Sequence, residues 1–217
     1  MAFDVTAKPG NYFTMVRTEM LPFIPKGPMK ILEIGCADGN FGELLLKEGA
    51  KEVWGLEYEQ AQADIASKRL YKVLVGDVAV QLSNLPDHYF DVIVCNDVLE
   101  HLLDPYTVVL KLKNKLNKNG VIVSSIPNIR YFRNFFDLMF NKNWDYTDSG
   151  ILDRTHLRFF TYKSIRKLFE ENGYEIVKME GINATKSIRP FIFNLFFLGW
   201  FWDIKFLQFA TIARVKS

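Results

Sequence analysis

The segment KILEIGCADGNFGELLL, beginning at Lys30, holds the densest group of residues with chemical use. An apolar strand ends at Glu33-Ile34 and runs straight into Gly35, Gly39 and Gly42 at the start of a helix. Small residues there let the backbone turn tightly and approach a ligand, while the first helical turn offers unpaired N–H groups to an anion. A dinucleotide fingerprint would be spaced GxGxxG; here the spacing is GxxxGxxG, with Ala37 at the second glycine position, which argues against a pyrophosphate. Two acids follow at strand ends. Glu57 closes WGLE, where a carboxylate can accept both hydroxyls of a ribose, and glutamate is too poor an N-cap for the rival role. Asp77 closes LVGD, where accepting from an adenine amino group and capping the next helix are evenly matched. Proton transfer near neutral pH falls to His88, His101 and His156. His156 lies in DRTH, so Asp153 is close enough in sequence to orient its ring, and Arg154 and Arg158 can hold a phosphate or carboxylate or else pair with neighbouring acids.

Short β-branched runs must place these groups at a common edge. From Met29 to Pro127 such runs alternate with helical stretches, the pattern of βαβ units and a parallel sheet. The expected strands are 30–34, 52–57, 72–75, 90–95 and 121–125, followed later by 174–180 and 209–215. Helices are expected over 41–48, ending at Gly49, over 60–70, and from the N-cap Asp104 and Pro105 to about Leu116, stopping at Asn119-Gly120. Another is expected over 163–172, closed by Gly173, and the spacing of 11–21 is helical as well. The alternation lapses over 128–159 and again over 181–207, lengths that mark binding elements. With no repeat and no Gly/Ser linker, the chain divides as one domain: a cap helix (1–28), a core (29–127), an insert (128–160) and a C-terminal part (161–217).

Composition narrows the classes. The 217 residues carry 27 Lys+Arg against 25 Asp+Glu, a balance that gives no field for gathering polyanions, so nucleic acid is not an expected partner. Cys36 and Cys95 form no CxxC pair, which disfavours a zinc scaffold or disulfide framework, and no metal is implied. The N-terminal MAFDVTAKPG has no signal-peptide pattern, which points to a cytoplasmic setting. FIFNLFFLGWFW, from Phe191, is shorter than the roughly 20 residues of a membrane span. It is expected to pack on the core, with a surface touching lipid, a lipid-linked substrate or a second copy as the alternative.

Glu33 to Gly39, Glu57, Asp77 and FDVIVCNDVLEHLLDP together resemble the class I S-adenosylmethionine-dependent methyltransferases, over Lys30 to about Pro127. With the fourth strand FDVIVC and the Asn96–His101 segment after it counted separately, these are five motifs in order, more specific together than any one alone. The resemblance implies an α/β, Rossmann-like doubly wound sheet of seven strands, mostly parallel with the last antiparallel. It implies S-adenosylmethionine as cofactor, cradled by Glu33, Gly35, Cys36, Ala37 and Gly39, with Glu57 and Tyr58 at the ribose and Asp77 and Val78 at the adenine. Asn96 and His101 would lie near the cofactor, and Tyr12 would cover its methionine end or simply pack. Ala37 departs from the commoner glycine and still leaves the methionine end room.

LDRTHLRFFT and the strand YEIVKMEGI resemble methyltransferases of sugar and surface-polysaccharide biosynthesis and the ubiquinone-type O-methyltransferases. That implies a sugar or glycan hydroxyl as acceptor, with a quinone-like or amine small molecule as the alternative. Methyl transfer is an in-line displacement, and a hydroxyl nucleophile also needs a base. His156 is the expected base, with Asp97 and Asp153 in reserve, and Arg154 and Arg158 are the expected acceptor-binding residues. An oxidoreductase is disfavoured by the missing GxGxxG, and an RNA methyltransferase by the balanced charge. A silent cofactor-binding module stays open.

Overall fold

In the computed structural model, which describes residues 16–216, a single 3-10 turn (Thr18–Phe23) precedes the alternating elements. These run β1 (Lys30–Ile34), α1 (Asn40–Lys47), β2 (Glu52–Glu57), α2 (Gln60–Ala66), β3 (Lys72–Val75), α3 (Val78–Gln81), β4 (Phe90–Asn96) and α4 (Pro105–Leu112). Then come β5 (Leu116–Pro127), α5 (Phe132–Phe136), α6 (Tyr162–Glu170), β6 (Tyr174–Ala184), α7 (Arg189–Phe196) and β7 (Phe206–Val215). The sheet order is β3-β2-β1-β4-β5-β7-β6. Strands β1 to β5 pair in parallel, and β7 lies antiparallel between β5 and β6.

Both faces of the central strands β1, β2 and β4 are covered, which is why they read as apolar runs. Along β4, Val92 and Val94 join the core formed with Phe41 and Leu45 of α1 and Phe23 of the 3-10 turn. Ile93 and Cys95 point the other way, into the core built with Val108 and Leu112 of α4 and Leu168 of α6. The period of two thus sends successive residues to opposite layers.

The order reverses between β1 and β4, the switch point at which open α/β sheets hold their ligands. Because β7 is antiparallel, the two long excursions also leave from that same carboxyl edge. Pro127 at the end of β5 pairs with Gln208, and Ala184 at the end of β6 pairs with Phe206. The exposed His88 precedes β4, at the opposite end of that strand from this edge.

Several boundaries differ from the sequence expectations. Helix α4 ends at Leu112, and Asn119-Gly120 sits inside β5 instead of closing a helix. A Cβ on Gly120 would come within 2.9 Å of the Phe90 carbonyl, so the glycine serves a close crossing of two strands where their register shifts. Helix α2 ends at Ala66, short of Leu70, and α6 starts at Tyr162 behind a capping box between Thr161 and Ser164. Strands β6 and β7 are longer than expected because they pair with one another along nearly their whole lengths. Of the expected helix over 11–21, residues up to 15 lie outside the described residues, and the described part is the 3-10 turn with Pro22 inside it.

The run at Phe191 is a short helix, but it is only partly packed on the core. Its inner rings meet the insert, while Phe191 (70% exposed), Phe196 (79%) and Trp200 (77%) face outward. Among the described residues no helix is long and apolar enough to cross a membrane.

Candidate active site

The β1–α1 loop is built to a tight specification. Gly35 has φ +69°, and a Cβ there would lie 2.5 Å from Cγ2 of Val98; Gly39 has φ +76° and would press on Ala66 of α2. Gly35 and Cys36 donate to the Leu56 carbonyl at 2.8 and 3.3 Å, tying the loop to β2. Arg69, a residue the sequence reading passed over, donates to the Asp38 carbonyl at 2.5 Å and to Asn40 Oδ1 at 2.7 Å, clamping the loop from beyond α2.

Glu57 is buried and fastens the same loop. Its Oε2 accepts from the Ala37 N–H at 2.8 Å, and its Oε1 from the N–H groups of Tyr58 and Glu59 at 2.9 and 3.0 Å. Burial raises its pKa, and the three backbone donors oppose that shift. Asp77 is exposed and caps α3, its Oδ1 accepting from the Ala79 N–H at 2.7 Å. Capping leaves the second oxygen of that carboxylate for a ligand. Val78 is buried beside it and Tyr58 is exposed.

Glu33 and Cys36 turn inward. Glu33 sits against Gly42 at the start of α1, and burial pushes its carboxyl up to about 8. The Cys36 side chain packs under Gly55, and burial pushes its thiol up as well. Both side chains are buried, and Glu33 Oε2 has no hydrogen-bond partner. Asn96, at the tip of β4, has a buried side-chain amide whose nitrogen and oxygen both lack a hydrogen-bond partner. Tyr12 lies outside the described residues.

Beyond β4 the groups come from distant segments. Asp97, at φ +52°, is ion-paired with Arg17, accepts from Gln208 Nε2 at 2.5 Å and faces Ser125 Oγ at 3.4 Å. Arg17 and Gln208 were not foreseen, since neither is near Asp97 in the chain. Glu100, also unforeseen, is 1% exposed and both its carboxyl oxygens lack hydrogen-bond partners; burial pushes its pKa up to about 8. His101 and His156 meet edge to face, ring centroids 4.6 Å apart.

His156 is 8% exposed; its Nδ1 lies 2.8 Å from the Ile151 carbonyl and its Nε2 3.9 Å from Glu100 Oε1. That placement turns the ring toward Glu100, which tells against the expected role as a base open to an acceptor. Asp153 is likewise buried, its Oδ1 accepting from the N–H and Oγ1 of Thr155. The two arginines expected to hold an acceptor are engaged elsewhere: Arg154 pairs with Asp148 at the surface, and Arg158 donates to the Leu103 carbonyl at 2.6 Å.

The excursions from β5 and β6 meet in a layer of rings, with Phe193 of α7 lying 5.0 Å from Phe136 of α5 and 5.2 Å from Phe201. A two-point ion pair locks them, Arg130 Nε and Nη2 reaching the Asp203 oxygens at 2.6 and 3.1 Å. Asn128 reinforces it by donating to the carbonyls of Asp203 and Phe206. Beside this layer opens a cleft of about 910 Å³ lined by Phe132, Phe136, Phe140, Arg133, Lys186 and Arg189, with Asp137 also in its wall.

Residues 12–179 match the family model described as a methyltransferase domain. The chain is 31% identical over 113 residues to the ubiquinone biosynthesis O-methyltransferase of Pasteurella multocida (strain Pm70), a match covering 46% of each chain. It is 28% identical over 152 residues to a probable S-adenosylmethionine-dependent methyltransferase of Mycolicibacterium smegmatis, covering 70% of this chain and 54% of that one. The match thus spans about half the length of these curated relatives. Its fold is similar to a SAM-dependent methyltransferase from Archaeoglobus fulgidus (TM-score 0.69, 20% identity, covering 90% and 89% of the two chains). It is also similar to the [4+2]-cyclase SpnF (TM-score 0.60, 16% identity, 88% and 76%), so the fold by itself does not name a reaction. With the family model matching most of its length and the glycine loop, strand-end acids and sheet order in place, the chain belongs to the class I S-adenosylmethionine-dependent methyltransferases.

Proposed function

We propose that this protein moves a methyl group from S-adenosylmethionine to a hydroxyl of a sugar or glycan intermediate that bears a phosphate and an apolar tail. The observation that carries the acceptor side is the cleft, whose lining combines Arg133, Lys186 and Arg189 with Phe132, Phe136 and Phe140. Cations hold a phosphate, and rings hold a hydrocarbon chain. These three replace Arg154 and Arg158 as the acceptor's anchors. The exposed Phe191, Phe196 and Trp200 extend the apolar surface from the same wall and fit a membrane that carries such a lipid-linked acceptor.

The residues at the switch point fit the cofactor. Asn96 offers a buried donor and acceptor with no partner of their own, suited to the amino-acid end. Glu57 keeps one of about four lone-pair sites for a ribose hydroxyl, and Asp77 keeps one oxygen for the adenine amino group. When bound, the cofactor supplies a methyl group on a sulfonium. The chain's own part is to align the acceptor oxygen with that carbon and to exclude water, the source of most of the rate in an in-line displacement. Asp97 is the part-exposed acid just past the tip of β4, ion-paired with Arg17, and takes the hydroxyl proton.

A lipophilic phenol is the second reading, favoured by the ubiquinone-directed names of several relatives. The test is transfer of labelled methyl from S-adenosylmethionine into separated fractions: sugar nucleotides, lipid-linked glycans, quinone precursors, small amines and RNA. Label in lipid-linked glycan, lost with Asp77→Ala, is the expected result. Label in the quinone fraction selects the second reading, and cofactor binding without label anywhere indicates a silent module.

A further inference from the structure

Just past the tip of β4, Glu100 and His101 meet His156 from the insert, and one ligand atom from each of the three lies within 4.8 Å of the others. The Glu100 carboxyl is 1% exposed with neither oxygen hydrogen-bonded, an arrangement whose cost calls for a partner. Both rings are held in one tautomer. His156 Nδ1 faces the Ile151 carbonyl, which can only accept, so that nitrogen carries the proton. His101 Nδ1 faces the Thr155 carbonyl at 3.1 Å and the Thr155 hydroxyl at 3.1 Å. That hydroxyl gives its own proton to Asp153 at 2.8 Å, so His101 Nδ1 is also the donor. In each ring the acceptor lone pair is therefore on Nε2. A carbonyl or carboxylate fixing the far nitrogen is the support that metal-binding histidines receive.

We propose that Glu100, His101 and His156 form a binding site for one divalent transition-metal ion, a two-nitrogen, one-carboxylate set. Imidazole pairs favour zinc, iron, cobalt or manganese over the all-oxygen sites of calcium and magnesium. Around an ion with bonds of about 2 Å, donors stand roughly 3–3.5 Å apart, so side-chain rotations of about an ångström close the set. Local charge favours the same occupant. Asp153 is a second buried carboxylate beside Glu100, while the cation nearby, Arg17, is matched by Asp97 and Glu19. The sequence suggested no metal because the third ligand comes 55 residues after His101, outside any short ligand spacing.

Tag-free full-length protein, stripped with a chelator, is titrated with Co²⁺ and followed by its visible absorption, then challenged with Zn²⁺ and separately with Mg²⁺. The expected result is uptake of about one equivalent of Co²⁺, displaced by Zn²⁺ and not by Mg²⁺. Glu100→Gln and His156→Ala, each checked for a native circular dichroism spectrum, should weaken uptake by at least about 100-fold, while the α4 surface variant Lys111→Ala leaves it unchanged. If His156→Ala fails to fold, the isosteric Glu100→Gln decides. Absence of stoichiometric Co²⁺ uptake by the wild-type chain, or uptake undiminished in Glu100→Gln, overturns the site.

Discussion

The carboxyl edge of the sheet has two halves made in different ways. On the β3-β2-β1 side, the glycine loop, Glu57 and Asp77 lie at or just past a strand end, and the carboxylates of Glu57 and Asp77 accept from backbone N–H groups one to twenty residues away. On the β4-β5-β7-β6 side, Arg17 meets Asp97, Glu100 meets His156, Arg130 meets Asp203 and Gln208 meets Asp97 across long stretches of chain. Glu100 and Asn96 remain buried there without hydrogen-bond partners. The first half is held by groups close in the chain and the second by groups that only the packed sheet brings together, and both keep buried atoms without a partner, Glu33 Oε2 and Asp38 Oδ1 in the one and Asn96 and Glu100 in the other.

The hardest blow to that contrast comes at Gly35. Gly35→Ala places a Cβ 2.5 Å from Val98 Cγ2 at a left-handed φ, and should cost about 2–4 kcal/mol of stability and at least 100-fold in cofactor affinity. Adding Val98→Ala should recover part of the stability and little of the binding, because the φ penalty stays. Calorimetric cofactor affinity equal to wild type in the single variant would sink the idea of a preformed loop.

Arg130→Ala probes the other half. It leaves the buried Asp203 carboxylate without its two-point partner, and should lower stability by about 1–3 kcal/mol and raise the acceptor KM about tenfold. The cofactor Kd should not move. If both constants change together, the two halves are one unit and the comparison fails.

The smallest effect is a pH dependence. Glu33 titrates up to about 8 in the fold against an ordinary 4.5, so the native state holds the extra proton between those values and stability falls as pH rises through that window. Glu33→Gln should remove this slope, gaining a few degrees in Tm over wild type at pH 8.5 relative to pH 5.5. Parallel melting curves at both pH values would take the buried Glu33 out of the loop's energetics.

Legibility followed the same division. The first four strands match expectation to within a residue: β1, β2 and β4 are buried on both faces, and all four runs, the half-buried edge strand β3 included, are bounded by glycine and acid punctuation. The end of α4 was misjudged because Asn119-Gly120 resembles a helix stop, while a strand crossing at Phe90 is what requires that glycine. His156 was noticed as a residue of chemical interest but given the wrong surroundings, since Asp153 beside it in sequence binds Thr155 and the Ile151 carbonyl holds the ring. For Arg154 the alternative of pairing with a neighbouring acid is what the structure shows, at Asp148, whereas the Leu103 carbonyl that Arg158 meets lies 55 residues away and is not legible in the sequence.

What the sequence determined by itself was local: alternation of apolar runs, tight turns at Gly35 and Gly39, acids at strand tips, and hence the fold and its cofactor family. Those features depend on φ preferences and periodicity, which act over a few residues. The tertiary structure alone decided that Glu100 lies beside His156, that Arg17 holds Asp97, and that two distant aromatic stretches form one wall beside a basic cleft. The aromatic wall arises because an antiparallel β7 returns both long excursions to one edge, and strand pairing across that distance is a property of the packed sheet.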